Sequence, residues 1–276
     1  MARVTDRRRI VRFRLDGPPS RREDRLAGEE PLEIRLGARA FTVTMRTPGE
    51  DFDLVAGFLV SEGVVSEPGE IISLRYCAGV DEQGQQTFNV VEAQLRPDVP
   101  LPDTGMERHV YTSSSCGICG TASIDAVRKS ARFEKHDDDG AVDLAVLASL
   151  PERLRAGQKL FDRTGGVHAA GLFSRDGELL CLREDVGRHN AVDKVVGWAL
   201  RAGHLPLCGT ILQVSGRASF ELVQKAHLAG VPMLAAVSAP SSLAADLAEK
   251  TGITLVGFSR GNTLNCYAHS HRIRAE

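Results

Sequence analysis

No apolar run in this 276-residue chain approaches the ~18 to 20 residues of a membrane-crossing helix. Net charge is also scarce: 34 lysines and arginines against 36 acids leave -2, which argues against a surface built for nucleic acid. Cysteine is sparse and scattered (Cys77, Cys116, Cys119, Cys181, Cys208, Cys266), with one close pair, unlike the dense framework of a small secreted domain. A chain of this length buries roughly three-quarters of its unfolded surface and needs no disulfide staple. These absences point to a soluble protein of the reducing cytoplasm, with neither membrane nor nucleic acid among its partners. The N-terminus is basic, "RRRIVRFRL" and then "PPSRRED", but lacks the apolar stretch of about 7 to 15 residues that a secretory signal needs. Residues 1–30 are therefore expected to form a flexible basic arm ahead of the first strand.

What is present reads as α/β. "LEIRLG" at 32–37 and "FTVTMRT" at 41–47 alternate apolar with polar residues across a short connection, as a half-buried hairpin does. "PGEDFDLVAGFLVSEGVV" predicts a helix with Leu54, Phe58 and Leu59 on one face, and "IISLRYC" and "FNVVEAQL" predict two more strands. This α+β part, residues 31–135, closes with a helical pattern through "ASIDAVRKSARF". A charged loop and a connecting helix with an expected break at Pro151 occupy 136–166. From 167 to 276 strands and helices alternate ("HAAGLFS", "ELLCLRE", "HNAVDKVVGWALRAG", "GTILQVSG", "SFELVQKAHLAG", "PMLAAVSA", "SLAADLAEK", "ITLVGFS"), which indicates a sheet covered by helices.

The chemistry concentrates in "YTSSSCGICGTASID", residues 111–125, where Cys116 and Cys119 stand between glycines. A structural zinc site wants a second pair of Cys or His ligands, and none is spaced for it; a zinc deaminase also needs an upstream His-x-Glu or Cys-x-Glu, which is missing. No metal is expected. A thioredoxin-like couple would sit after the first strand of a βαβ unit in a shorter chain. Two cysteines that simply pack at a helix start remain possible, since free cysteine is often buried. A thiol in the first turn of a helix has a lowered pKa and is a competent nucleophile, so attack on a sulfane sulfur stays open as well.

Five blocks in order, "CGICG", "GGVHAAGL", "EDVGRHNAVDK", "SGRASFELVQKA" and "TLVGFSRG", resemble the FdhD family of formate dehydrogenase accessory sulfurtransferases, and the likeness spans most of the chain. The resemblance implies a cytidine-deaminase-like fold, a three-layer mixed sheet covered by helices, and commonly a homodimer. It implies a protein that takes sulfur from a cysteine desulfurase as a persulfide and passes it to the molybdenum of the bis-guanine-dinucleotide cofactor (Mo-bis-MGD) for formate dehydrogenase. A cofactor chaperone for the same client, without sulfur chemistry, is the alternative. Carried over by motif, the persulfide cysteine falls on Cys116 and its partner on Cys119. The cofactor segment falls on Phe258, Ser259, Arg260, Gly261, Asn262 and Thr263, where some relatives have lysine and proline at the Arg260 and Gly261 positions. A strand running into a glycine turn suits a ligand at the carboxyl edge of a sheet: Arg260 for a phosphate, Phe258 for a base. His168, Arg188, His189 and Arg217 are further candidates for anionic groups. A capped helix with surface charges is the plainer reading of "EDVGRHNAVDK".

Overall fold

The structure, a computed structural model, describes residues 3–77, 79, 87–101, 111–112, 132–133 and 140–275. The fold is mixed α/β. A five-stranded sheet, order β5-β6-β3-β4-β7, uses β3 (Glu30–Leu36), β4 (Arg39–Arg46), β5 (Ile71–Tyr76), β6 (Val90–Leu95) and β7 (Tyr111–Thr112). A six-stranded sheet, order β10-β9-β11-β12-β13-β14, uses β9 (His168–Ser174), β10 (Leu179–Asp185), β11 (Thr210–Val214), β12 (Met233–Ala236), β13 (Thr254–Arg260) and β14 (Thr263–Ala268). Six helices are described: α1 (Asp51–Ser61), α2 (Leu144–Gly157), α3 (Lys159–Thr164), α4 (Arg188–Arg201), α5 (Phe220–Leu228) and α6 (Ser242–Thr251). Short strands β8 (Val142–Asp143) and β15 (Ile273–Arg274) pair in parallel. No helix among the described residues is long and apolar enough to cross a membrane.

Period-two patterning places the core. Ala170 and Leu172 of β9, with Leu212 and Val214 of β11, face a helical layer of α1, α4, α5 and α6; Leu32, Ile34 and Val91 of the other sheet close that layer from the opposite side. The alternate residues Ala169, Phe173 and Ile211 face the other way, onto Leu147, Leu150 and Leu154 of α2. One apolar core thus runs through both the N-terminal and the C-terminal parts of the chain.

Two expectations are corrected. Residues 5–27, expected as a flexible arm, form an antiparallel hairpin of β1 (Thr5–Arg14) and β2 (Gly17–Ala27) joined by a two-residue turn at Leu15-Asp16. The connecting helix does not break at Pro151. It runs through Pro151 to Gly157 and is capped at Gln158, where ψ turns to 72° before α3. The edge strand β14, for which no expectation was made, pairs with β13. The helical pattern expected across 122–133 lies outside the described residues except for Arg132 and Phe133.

The tightest contact in the helical layer is the crossing of α1 and α4. A Cβ on Gly57 would stand 1.8 Å from the Asp193 carbonyl oxygen, and a Cβ on Gly197 would stand 1.8 Å from the Asp53 carbonyl oxygen. Two backbones meet here, and no flexible side chain is present to yield. Gly57→Ala or Gly197→Ala is expected to force the helices apart and to cost about 3 kcal/mol or more, read as a lowered midpoint in urea unfolding.

Candidate functional site

Strands β11, β12 and β13 are parallel, β9 runs antiparallel to β11, and β10 antiparallel to β9. One edge of the sheet therefore gathers the start of β9 (His168), the end of β10 (Asp185) and the ends of β11, β12 and β13. Backbone bonds fasten the loops that leave it: Ser215 N donates to Ala169 O (3.0 Å), Ser238 N to Gly216 O (3.2 Å) and Phe258 N to Ser238 O (3.2 Å). Ser215 Oγ accepts from Ala169 N at 2.9 Å. Blocks that lie far apart in sequence are thereby brought to one place.

A cleft of about 940 Å³ opens at this edge. Its sheet side carries His168, Val186, Ser215, Val237, Arg260 and Gly261; its other wall is the end of α2 with α3, contributing Leu154, Arg155, Gln158, Phe161 and Asp162. The Arg155 guanidinium stacks over the Phe161 ring (4.7 Å) and pairs with Asp162 at 2.7 Å. Sequence reading missed Arg155 and Phe161, because they lie on an ordinary amphipathic connecting helix and only the tertiary fold turns them toward the cleft.

The Phe258–Thr263 segment divides. Arg260 and Gly261 line the cleft. Phe258 is half-buried in a left-handed conformation (φ 51°), with the Arg260 guanidinium 5.8 Å from its ring centre. Ser259 is fully buried, and its Oγ has no hydrogen-bond partner among the described residues. Asn262 and Thr263 are exposed on the turn that Gly261 makes at φ 57°.

"EDVGRHNAVDK" divides too. Glu184 caps α3, accepting from Leu160 N (2.7 Å) and Phe161 N (2.8 Å). Asp185, completely buried, pairs with Lys194 Nζ (2.8 Å) and accepts from Thr47 N (3.0 Å), Gly187 N (2.8 Å) and Asn190 Nδ2 (3.0 Å). Asp193 holds Lys225 (2.8 Å) and Ser61 Oγ (2.6 Å). Those residues build the fold. Arg188 and His189 remain, at the start of α4 where backbone amides favour anions, and Arg188 Nε is buried without a hydrogen-bond partner among the described residues. His168 is half-buried beside them: burial first, then the Arg188 and His189 charges, push its pKa below the usual histidine range. A neutral imidazole in this setting can accept as well as donate a hydrogen bond. Arg217 is exposed on the loop after β11.

Cys116 and Cys119 lie outside the described residues. The chain leading to them runs through β7, whose Val43–Tyr111 and Thr44–Thr112 pairings set it beside β4. Thr44 Oγ1 in turn donates to Asn190 Oδ1 in the first turn of α4 (3.3 Å). Among the described residues no group of three or more His, Cys, Asp or Glu is arranged to hold a metal ion.

His189 Nε2 lies 3.2 Å from Ser219 Oγ and 3.8 Å from Glu221 Oε2. The imidazole is the largest cause holding the Glu221 carboxyl down at about 2, against an ordinary 4.5. The folded-state value is depressed, so the pair's contribution to stability is complete above pH 4.5 and is lost as pH falls toward 2. Glu221→Gln is expected to be less stable than wild type at pH 6, with the difference closing between pH 4.5 and 2 in chemical denaturation.

The model of the FdhD/NarQ family matches residues 27–274. The chain is 61% identical over 275 residues to a Streptomyces avermitilis protein named sulfur carrier protein FdhD, covering 99% of this chain and 97% of that one. It is 51% identical over 276 residues to the Mycobacterium tuberculosis protein of the same name, covering 99% and 100%. It is also similar to a crystal structure from Desulfotalea psychrophila described as a candidate formate dehydrogenase accessory protein, with a TM-score of 0.75 and 25% identity, covering 99% of this chain and 100% of that one.

Proposed function

Because the chain belongs to the FdhD/NarQ family, we propose that it is a sulfur carrier that loads a persulfide on Cys116 and delivers the sulfur to a molybdenum cofactor bound in the cleft, for use by formate dehydrogenase. The observation that carries this reading is the convergence of four separate segments, at Gly165–His168, Val186, Ser215 and Arg260–Gly261, on one cleft with cationic side chains. The resemblance assigned the cofactor to the last of these segments. A dinucleotide cofactor is large and anionic, and the cleft offers a guanidinium, glycine backbone and apolar wall for it.

The chemistry asked of the thiols is balanced without a metal of the protein's own. The Cys116 thiolate attacks the terminal sulfur of a persulfide on a cysteine desulfurase; the donor's S–S bond breaks, its cysteine leaves as thiolate, and Cys116 holds the persulfide. Delivery follows when the Cys119 thiolate attacks the Cys116 sulfur. The outer sulfur leaves as sulfide, the ligand that the molybdenum substrate takes up. The two electrons come from the dithiol, which ends as a Cys116–Cys119 disulfide to be reopened by a thiol reductant.

Incubation with a cysteine desulfurase and cysteine is expected to add the mass of one sulfur, lost on reduction. Cys116→Ala should abolish that gain and the activation of formate dehydrogenase while leaving the unfolding transition unchanged. A variant that still activates the client overturns the assignment of Cys116. Arg260→Ala should load sulfur normally yet bind GDP, standing in for the nucleotide end of the cofactor, roughly ten- to a hundredfold more weakly by calorimetry. Equal affinities would move the phosphates to Arg188, His189 or Arg217.

A further inference from the structure

The two walls of the cleft differ in chemistry. On the sheet side Arg260 makes no ion pair among the described residues, which leaves its guanidinium available to an anion. On the helical side the cation is already engaged: Arg155 pairs with Asp162 Oδ1 (2.7 Å) and lies over the Phe161 ring (4.7 Å). Phe161 is the one benzene ring that lines the cleft, and Phe258 does not line it. Charge for phosphates thus stands on one wall and a flat surface for a base on the other.

Gln158 is a second, independent observation on the helical wall. It joins α2 to α3, is only 4% exposed and lines the cleft, yet its side-chain amide makes no hydrogen bond among the described residues. A buried amide without a partner is uncommon, and this one offers a donor and an acceptor to a polar molecule in the cleft. The junction around it is held by the fold. Glu184 accepts from Leu160 N (2.7 Å) and Phe161 N (2.8 Å), Asp162 N donates to Gln158 O (3.1 Å), and Gly165 N donates to Phe161 O (2.7 Å).

We infer that Asp162 is the specificity-determining residue of the cleft and that it selects guanine, with the Gln158 amide donating to the 6-carbonyl and the Arg155–Phe161 stack as the platform beneath the base. This rests on the reading of the cleft as the seat of a guanine dinucleotide and adds which residues recognise the base. Guanine carries two donors side by side, N1–H and the 2-amino group, and a carboxylate meets both with parallel charge-assisted bonds. A carboxylate has about four lone-pair sites, and Arg155 contacts Oδ1 alone, so both oxygens can still accept. Adenine presents a lone pair at N1 and xanthine a carbonyl at C2. Either would set an acceptor against the carboxylate, which is the basis for rejecting them. Glu152 also lines the cleft, but no cation among the described residues holds it.

Calorimetric titration of the full chain with GDP, ADP and xanthosine diphosphate (XDP) tests the assignment. Wild type is expected to bind GDP roughly ten- to a hundredfold more tightly than ADP or XDP. Asp162→Asn turns an amide oxygen to N1–H and an amide NH2 to the 2-carbonyl of xanthine, so its preference should reverse to XDP over GDP. A gain of affinity for XDP cannot arise from a misfolded protein. A variant that keeps the wild-type preference for GDP overturns the role of Asp162 and leaves the cleft as the nucleotide site. Loss of GDP binding with no gain for XDP also overturns it, as the mark of an Arg155–Asp162 pair that only shapes the wall. A wild type that binds none of the three overturns the cofactor reading of the cleft, and this assignment with it.

Discussion

The contact on which the rest of the molecule depends is the backbone-to-backbone crossing at Gly57 and Gly197. Helix α1 packs on the five-stranded sheet and α4 on β9 and β10 of the other, so the distance between these two helices sets the distance between the sheets. The carbonyls that touch the glycines belong to Asp53 and Asp193. The carboxylates of the same two residues reach outward, Asp53 to Arg183 (2.9 Å) and Arg201 (2.5 Å), and Asp193 to Lys225 and Ser61. Close approach brings those acids within reach of their partners. An added methyl group at either glycine would displace the acids together with the helices.

The second constraint is the buried pair Asp185–Lys194. Burying two charges is costly, and such a pair is weak as a source of stability compared with well-packed apolar side chains. What it supplies here is position. Lys194 also donates to Thr47 O (2.9 Å), while Asp185 holds Thr47 N and Asn190, so one network ties the end of β10, the first turn of α4 and the loop before α1. Arg188 and His189 sit inside that framework. Most of the polar residues in this stretch are consumed in holding the others still; His189 turns to Ser219 and Glu221, and the charge of Arg188 bears on His168.

The parts of the fold legible in sequence are those written in periodicity. Strands β9 and β13 fall where alternation or apolar runs place them, and α1 and α4 where an i, i+4 face appears. Gly57 and Gly197 read as helix-interior glycines with no stated purpose, because the purpose lies in the partner helix 140 residues away. The hairpin was obscured by its charge: arginine-rich ribbons look like solvated arms unless the alternation is weighed above the composition. Within the site, Arg260, Gly261 and His168 were found through motifs, whereas Arg155 and Phe161 carry no signature. The block holding Glu184 and Asp185 was legible as a capped helix start, but not as a set of residues engaged by the chain itself.

The end of β13 shows how the fold selects which side chain meets the cleft. Regular alternation would carry on past Val256, but the pairing with β14 shifts between Gly257 and Arg260, and Phe258 takes φ 51°, a conformation that costs an aromatic residue about 1 to 3 kcal/mol. The bulge leaves Ser259 completely buried and puts Arg260 at the rim, over the ring that made the turn. Gly261 then reverses the chain without a side chain in the way. The position of the cation is thus determined by the backbone irregularity before it. An aromatic residue in that irregularity gives the guanidinium a flat surface to lie on, which limits its rotamers and keeps the charge at the mouth of the cleft, where an anionic group would arrive.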